Sequence, residues 1–163
     1  LASDGQRIGW TEYGKFSVGA VLSMLPDGGA QLLHGGAQAG PVDLGAYGTE
    51  WFWAESNGGR VQRAPVAGGA AAPVASGQPL PTALAVDDSG IWWLNLGTPP
   101  NYLDGQLRWA PLDGGAAETV VDQVPNAFSL VLDGTFVWYA SQGTPAANYE
   151  DGAVFRVEKR KGP

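Results

Sequence analysis

Four polar residues occupy one repeated place in the chain: Glu12, Glu55, Asn95 and Ser141 each lie two residues after an aromatic residue, namely Trp10, Trp53, Trp93 and Tyr139. Carboxylate, amide and hydroxyl oxygens brought together can hold a divalent cation such as calcium, or a hydroxylated ligand. The plainer reading is that they are solvated strand ends. Two longer segments repeat each other more closely. Gly97-Thr98-Pro99-Pro100-Asn101-Tyr102-Leu103-Asp104-Gly105 parallels Gly143-Thr144-Pro145-Ala146-Ala147-Asn148-Tyr149-Glu150-Asp151-Gly152; both open Gly-Thr-Pro and carry Asn-Tyr ahead of Asp-Gly. Asn101, Tyr102 and Asp104, with Asn148, Tyr149 and Asp151, combine flat apolar rings with directional hydrogen bonding, which suits a sugar or a peptide. The same residue types also form turns in their own right. The aspartates are not spaced as in an EF-hand loop, so no cofactor is expected and calcium is only a weak alternative.

Catalytic machinery is harder to assemble. There is no cysteine and a single histidine, His34, which excludes a Cys-His pair and a zinc site and leaves a Ser-His-Asp triad dependent on distant partners. His34 reads as a satisfied or solvated side chain. The glycine pairs are followed by neither Lys-Ser/Thr nor a helix, so they are turns and not phosphate cradles. The net charge is −7, and residues 1–155 carry 15 acids against 5 bases, because Arg156, Lys159, Arg160 and Lys161 crowd the last eight positions. Such an acidic body repels phosphate backbones, and nucleic acid is excluded as a partner. The Glu158-Lys159-Arg160-Lys161 run reads as a solvated end.

The elements that must position these residues are short strands. In 163 residues, 25 glycines and 12 prolines leave little room for long helices, while a 44% hydrophobic content is enough for a packed core. The longest uncharged run, Ala64 to Val86, contains four prolines and cannot be a continuous membrane helix. No signal peptide is visible, and the start at Leu1 is what a trimmed chain would show.

The aromatic segments set an internal repeat. Ile8 to Glu12, Trp51 to Glu55, Ile91 to Asn95 and Val137 to Ser141 align, with Trp10, Trp53, Trp93 and Tyr139 spaced by 43, 40 and 46 residues. Ahead of each lies a turn position, occupied by Asp4, Tyr47, Asp87 and Asp133, and before three of these a short apolar run. After each comes a glycine and another alternating run, twice ending in Asp-Gly-Gly, a hairpin signal. Four strands in roughly 40 to 46 residues is the period of a β-propeller blade. Within Ile91 to Asn95 both faces of the strand are apolar, as in a sheet covered on each side. The tryptophans therefore read as packing between blades. The expectation is an all-β chain of about fifteen strands in four repeats, 1–43, 44–83, 84–129 and 130–163, the last one incomplete.

The pattern D-G-x-x-[VIF]-[YW]-W-x-[NE]-x-G followed by G-x-[VL]-x-[RW]-x-P-L-D-G-G resembles the repeats of exported bacterial β-propellers, in the neighbourhood of NHL, TolB-type and streptogramin-lyase-like propellers. It is carried by Asp87 to Gly97 with Gly105 to Gly115, by Asp133 to Gly143 with Gly152 to Val157, and more loosely by the first two units. The resemblance implies that the loops after the second strand of each blade share one rim of a channel, with Glu12, Glu55, Asn95 and Ser141 delivered there. A lyase of that type would need a histidine base in the channel, whereas His34 falls in an expected outer strand.

These readings lead to a binding or scaffold module of an exported protein, periplasmic, cell-surface or extracellular, recognising a glycan, peptide or protein at the rim. The alternatives are a hydrolase or lyase using channel carboxylates such as Glu12 and Glu55 with a divalent metal, and a structural assembly subunit. The first and last repeats are cut so that one outer strand is missing. The expected completion is another chain closing a larger propeller, two copies joined into an eight-bladed ring, or a four-bladed ring with one three-stranded blade.

Overall fold

A computed structural model describes residues 1–15, 18–29 and 32–160. They form fifteen strands in four antiparallel sheets, and the only helical feature among them is one 3-10 turn, Pro145–Ala147. The first sheet runs β1 (Ala2–Ser3), β2 (Ile8–Lys15), β3 (Val18–Met24) and β4 (Leu32–Gln38), and the second β5 (Pro41–Tyr47), β6 (Glu50–Glu55), β7 (Arg60–Pro65) and β8 (Ala72–Ser76). The third comprises β9 (Pro81–Asp87), β10 (Gly90–Asn95), β11 (Gln106–Ala110) and β12 (Glu118–Val121), and the fourth only β13 (Ala127–Leu132), β14 (Phe136–Ser141) and β15 (Ala153–Glu158). Each strand pairs with its sequence neighbours, as hairpins dictate. The chain divides into two compact units, Leu1–Gln78 with the first two sheets and Pro79–Pro163 with the last two.

The aromatic register holds. Trp10, Trp53, Trp93 and Tyr139 all lie on the second strand of their sheets. The three later sheets share one irregularity: Pro41, Pro81 and Ala127 pair with Glu55, Asn95 and Ser141, and a bulge follows at once. These first strands therefore begin three residues ahead of the expected repeat starts at 44, 84 and 130. The bulge breaks the alternation on which the sequence reading relied.

Packing in the first unit is sheet on sheet. Val21 of β3 meets Leu44, Trp51, Trp53 and Ala64 of the second sheet. The approach is close because Gly9 has no side chain; a Cβ there would lie 2.8 Å from Trp51 Cη2 and 2.9 Å from Leu44 Cδ2. In the second unit Trp92, Leu94, Leu107 and Trp109 cover Val137 and Tyr139, with Leu130, Leu132 and Val157 around them. Every residue of β10 is buried on both faces, as its apolar run anticipates. Each buried tryptophan removes about 200 Å² from water, on the order of 5 kcal/mol of transfer free energy.

Aspartates close the hairpins between first and second strands. Asp4 Oδ1 accepts the Gln6 N–H (2.8 Å) and the Arg7 N–H (2.5 Å). Asp133 Oδ1 accepts the N–H groups of Thr135 and Phe136, both at 2.7 Å, while Oδ2 accepts the Trp138 indole at 2.6 Å. Led by the indole bond, these contacts hold the Asp133 carboxyl down to about 2. The basic end of the chain departs in part from expectation. Lys159 Nζ sits 2.5 Å from Asp87 Oδ2, and Arg160 pairs with Glu118 and lies over the Trp109 ring, so these two side chains rest on the second unit while Glu158 faces solvent. Lys161 lies outside the described residues.

Candidate functional site

The two long loops of the second unit are built alike. Asp104 reaches back across its loop, Oδ1 accepting the Thr98 N–H (2.6 Å) and Oδ2 the Thr98 hydroxyl (2.7 Å). Asp151 does the same to Thr144, at 2.7 and 2.8 Å. In both cases the threonine N–H, then its hydroxyl, holds the carboxyl below the usual range. Gly97 and Gly143 take φ of 108° and 91°, where a Cβ would strike Asp104 Oδ1 at 2.6 Å and Asp151 Oδ1 at 2.3 Å. Glycine at the head of each loop is thus what lets the pin form.

Each pin closes a turn that lifts a tyrosine into left-handed backbone. Tyr102 has φ 50° and Tyr149 φ 62°, and their N–H groups donate to Thr98 O (3.0 Å) and Thr144 O (2.9 Å). Such a conformation costs a bulky residue on the order of 1 kcal/mol and persists only where its surroundings fix it. Asn148 shares it at φ 52°. Tyr149 is 52% exposed, Tyr102 half-buried, and Asn101 and Asn148 face solvent.

One residue joins the loops. Asn126, just ahead of β13, donates its N–H to Tyr102 O (2.8 Å) and its side-chain amide to Gly143 O (2.9 Å), and its carbonyl accepts the Gln142 N–H (3.2 Å). It is itself left-handed, as are Leu80 and Gly40 at the corresponding positions before β9 and β5. The carbonyls of those residues accept from Leu96 and Ser56, each at 2.9 Å. A left-handed residue ahead of each first strand therefore fixes the exit of the second strand, and in the last sheet it also ties in the neighbouring long loop.

The four residues at the ends of the second strands have different fates. Ser141 is buried; its hydroxyl donates to Pro125 O and accepts the Gly143 N–H at 3.1 Å. Asn95 is also buried. Glu55 is fully buried in the first unit, where its carboxylate accepts from the Trp53 indole (3.2 Å), Arg60 Nε (3.1 Å) and Nη2 (2.6 Å), and Gln62. Gln38 completes this knot from the first sheet, its Oε1 accepting from Trp53 (3.2 Å) and Gln62 (3.0 Å). Glu12 repeats the indole contact with Trp10 at 3.2 Å but is exposed. The six loop residues are thus gathered in the second unit, while Glu12 and Glu55 lie in the first. Asn126 and the Gln38, Arg60 and Gln62 partners escape sequence reading, although an asparagine before a predicted strand is a usable signal for left-handed backbone.

His34 of β4 is fully buried. Ser23 Oγ lies 2.8 Å from its Nε2, and the Trp51 ring meets it edge-on at 6.1 Å. Burial pushes its pKa below 6.5, the Pro65 carbonyl opposes this, and the Arg7 charge adds to the lowering. Among the described residues no three histidines, cysteines or acids are grouped to hold a metal, and no helix is long and apolar enough to cross a membrane.

Four antiparallel sheets of three to four strands in one repeated register define a β-propeller fold, and the solved structures that match are propeller-type proteins. A chain of the nidogen/laminin complex aligns over 98% of this chain and 65% of its own, at 16% identity and a TM-score of 0.70. The computationally designed Ika4 protein aligns over 98% and 89%, at 15% identity and 0.74. Virginiamycin B lyase from Staphylococcus aureus aligns over 80% and 47%, at 13% identity and 0.55. The chain thus spans less than two thirds of the nidogen/laminin chain and under half of the lyase. No protein-family profile matches it, and no curated protein matches it. Propellers with such matches include both binding proteins and enzymes, so the fold leaves the activity open.

Proposed function

We propose that the chain is a non-catalytic binding or scaffold module of an exported bacterial β-propeller protein, recognising a glycan, peptide or protein partner through the two long loops of its second unit. The observation that carries this is the duplicated pin: two loops held by the same Thr-Asp clasp, spliced by Asn126, each fixing a tyrosine in left-handed backbone. A rigid aromatic ring beside exposed amides is economical for recognition, because little side-chain freedom is lost on binding. Export follows from the resemblance of the repeats. The module works without a resident cofactor, within a set of blades completed by another chain or a second copy. The enzyme alternative gains nothing from Glu55, whose carboxylate is consumed by four donor contacts.

Glycan and peptide arrays probed with the purified chain, with elemental analysis of the same sample, test the proposal. Tyr102→Ala and Tyr149→Ala each weaken a hit by about 1 kcal/mol or more, roughly fivefold or more, with the fold intact. Unchanged binding in the double variant removes the loops from the site. A stoichiometric divalent ion in the purified protein favours the enzyme reading.

A further inference from the structure

Two loops of unequal length in the second unit deliver a tyrosine in the same way. From Thr98 the chain reaches Tyr102 through Pro99, Pro100 and Asn101; from Thr144 it reaches Tyr149 through one residue more, Pro145, Ala146, Ala147 and Asn148. The extra residue is taken up by the 3-10 turn Pro145–Ala147 and by a second left-handed residue, Asn148. Both paths nevertheless end on a left-handed tyrosine whose N–H meets the threonine carbonyl, inside the same Thr-Asp clasp. Left-handed backbone is unfavourable for tyrosine. A loop that only had to connect two strands has no need to reach it twice by different routes. What the loops hold in common is the presentation of a ring, with an amide, Asn101 or Asn148, directly ahead of it.

The loops are also neighbours. Asn126 reaches both, its backbone N–H on Tyr102 O and its side-chain amide on Gly143 O, so the tyrosine end of one loop lies within a side chain's length of the head of the other. The Val124 N–H on Gly105 O (2.8 Å) fixes the foot of the first loop against the same segment. Charge narrows the choice of ligand. Neither loop, nor the 122–129 segment between them, contains a lysine or arginine, while Asp104, Asp122, Glu150 and Asp151 are acidic. An anionic polymer is therefore repelled. Asp104 and Asp151 give both oxygens to Thr98 and Thr144, and Asp122 accepts from Gln106 at 3.0 Å, so three of the four acids are engaged within the protein and do not select a cationic ligand. Neutral pairs of ring and amide are left, and these suit the apolar face and hydroxyl groups of an uncharged sugar.

We propose that the two loops are paired subsites for one strand of a neutral, repeating glycan, with a sugar residue against each tyrosine. Two equal elements held at a fixed separation favour a ligand that itself repeats, because the second contact is then made at high effective concentration. The inference rests on the reading of the loops as the recognition surface, and it adds the class of ligand and a dependence on its length.

Isothermal titration of the full chain with the disaccharides and hexasaccharides of cellulose, chitin and amylose tests it. In at least one series the hexasaccharide binds about tenfold or more tightly than the disaccharide. Tyr102→Ala and Tyr149→Ala, with unchanged β circular-dichroism spectra, each bring the hexasaccharide to within about threefold of the disaccharide. Tyr13→Ala, at an exposed tyrosine of the first unit, leaves both affinities unchanged. The wild-type length dependence needs no variant, so a loop that misfolds on substitution cannot hide the answer. Equal affinity for both lengths, or no binding in any of the three series, overturns the inference. If an array peptide then binds and is weakened by the tyrosine variants, the loops remain the recognition surface and only the glycan is lost. A hexasaccharide indifferent to both tyrosine variants overturns both readings.

Discussion

The knot around Glu55 predicts an asymmetry between the two partners of its ion pair. In Glu55→Gln the Trp53 and Gln62 donors keep Gln38 Oε1 as acceptor, at 3.2 and 3.0 Å, and an amide oxygen still faces them. Arg60 loses its partner, but its side chain is 41% exposed and water replaces the carboxylate. What is lost is the charge assistance of one bidentate contact, about 1–2 kcal/mol. Arg60→Met does the opposite. It leaves a carboxylate with no exposed surface and only neutral donors, and stranding a buried charge costs about 3–5 kcal/mol. Urea unfolding followed by tryptophan fluorescence and far-ultraviolet circular dichroism measures both. Arg60→Met should be the more damaging by about 2 kcal/mol. Equal costs, or a larger cost for Glu55→Gln, would refute the reading of Glu55 as a closed structural charge.

Gly9→Val forces a branched side chain into Trp51 and Leu44 and should destabilise the first unit by about 1–3 kcal/mol in the same urea experiment, whereas Gly134→Ala, where a Cβ meets open space without left-handed backbone, should stay within about 1 kcal/mol. His34 is held below its ordinary 6.5 by burial, so the unfolded chain binds more protons near that pH. Its contribution is fully present above pH 6.5 and is lost as the pH falls below it; midpoints measured across this range should drop for the wild type and flatten in His34→Gln.

The tryptophan register made the fold readable because a blade must bury both faces, and runs such as Ile91 to Asn95 are apolar on both. Matching Gly-Thr-Pro and Asp-Gly ends likewise made the long loops legible as a pair. The clasp inside them was not, since nothing in a Thr six or seven positions from an Asp distinguishes a pin from two solvated groups. Leu80 gave no sign of its left-handed backbone, which is imposed by the Leu96 contact and runs against a leucine's own preference. Glu55 and Glu12 occupy equivalent positions, and only Gln38, 17 residues earlier in the chain, with Arg60 and Gln62, makes one buried and leaves the other open. Lys159 in the basic end escaped for the same reason: it meets Asp87 across 72 residues, and no local pattern encodes that contact.

The most direct test of the proposed binding function is hydrogen exchange of the chain with and without the strongest array ligand, read at peptide resolution. The account predicts slowed exchange confined to the loops at 97–105 and 143–152 and to the segment around Asn126 that splices them. Protection centred instead on the first unit around Glu12 and Glu55, with those loops unchanged, would contradict it.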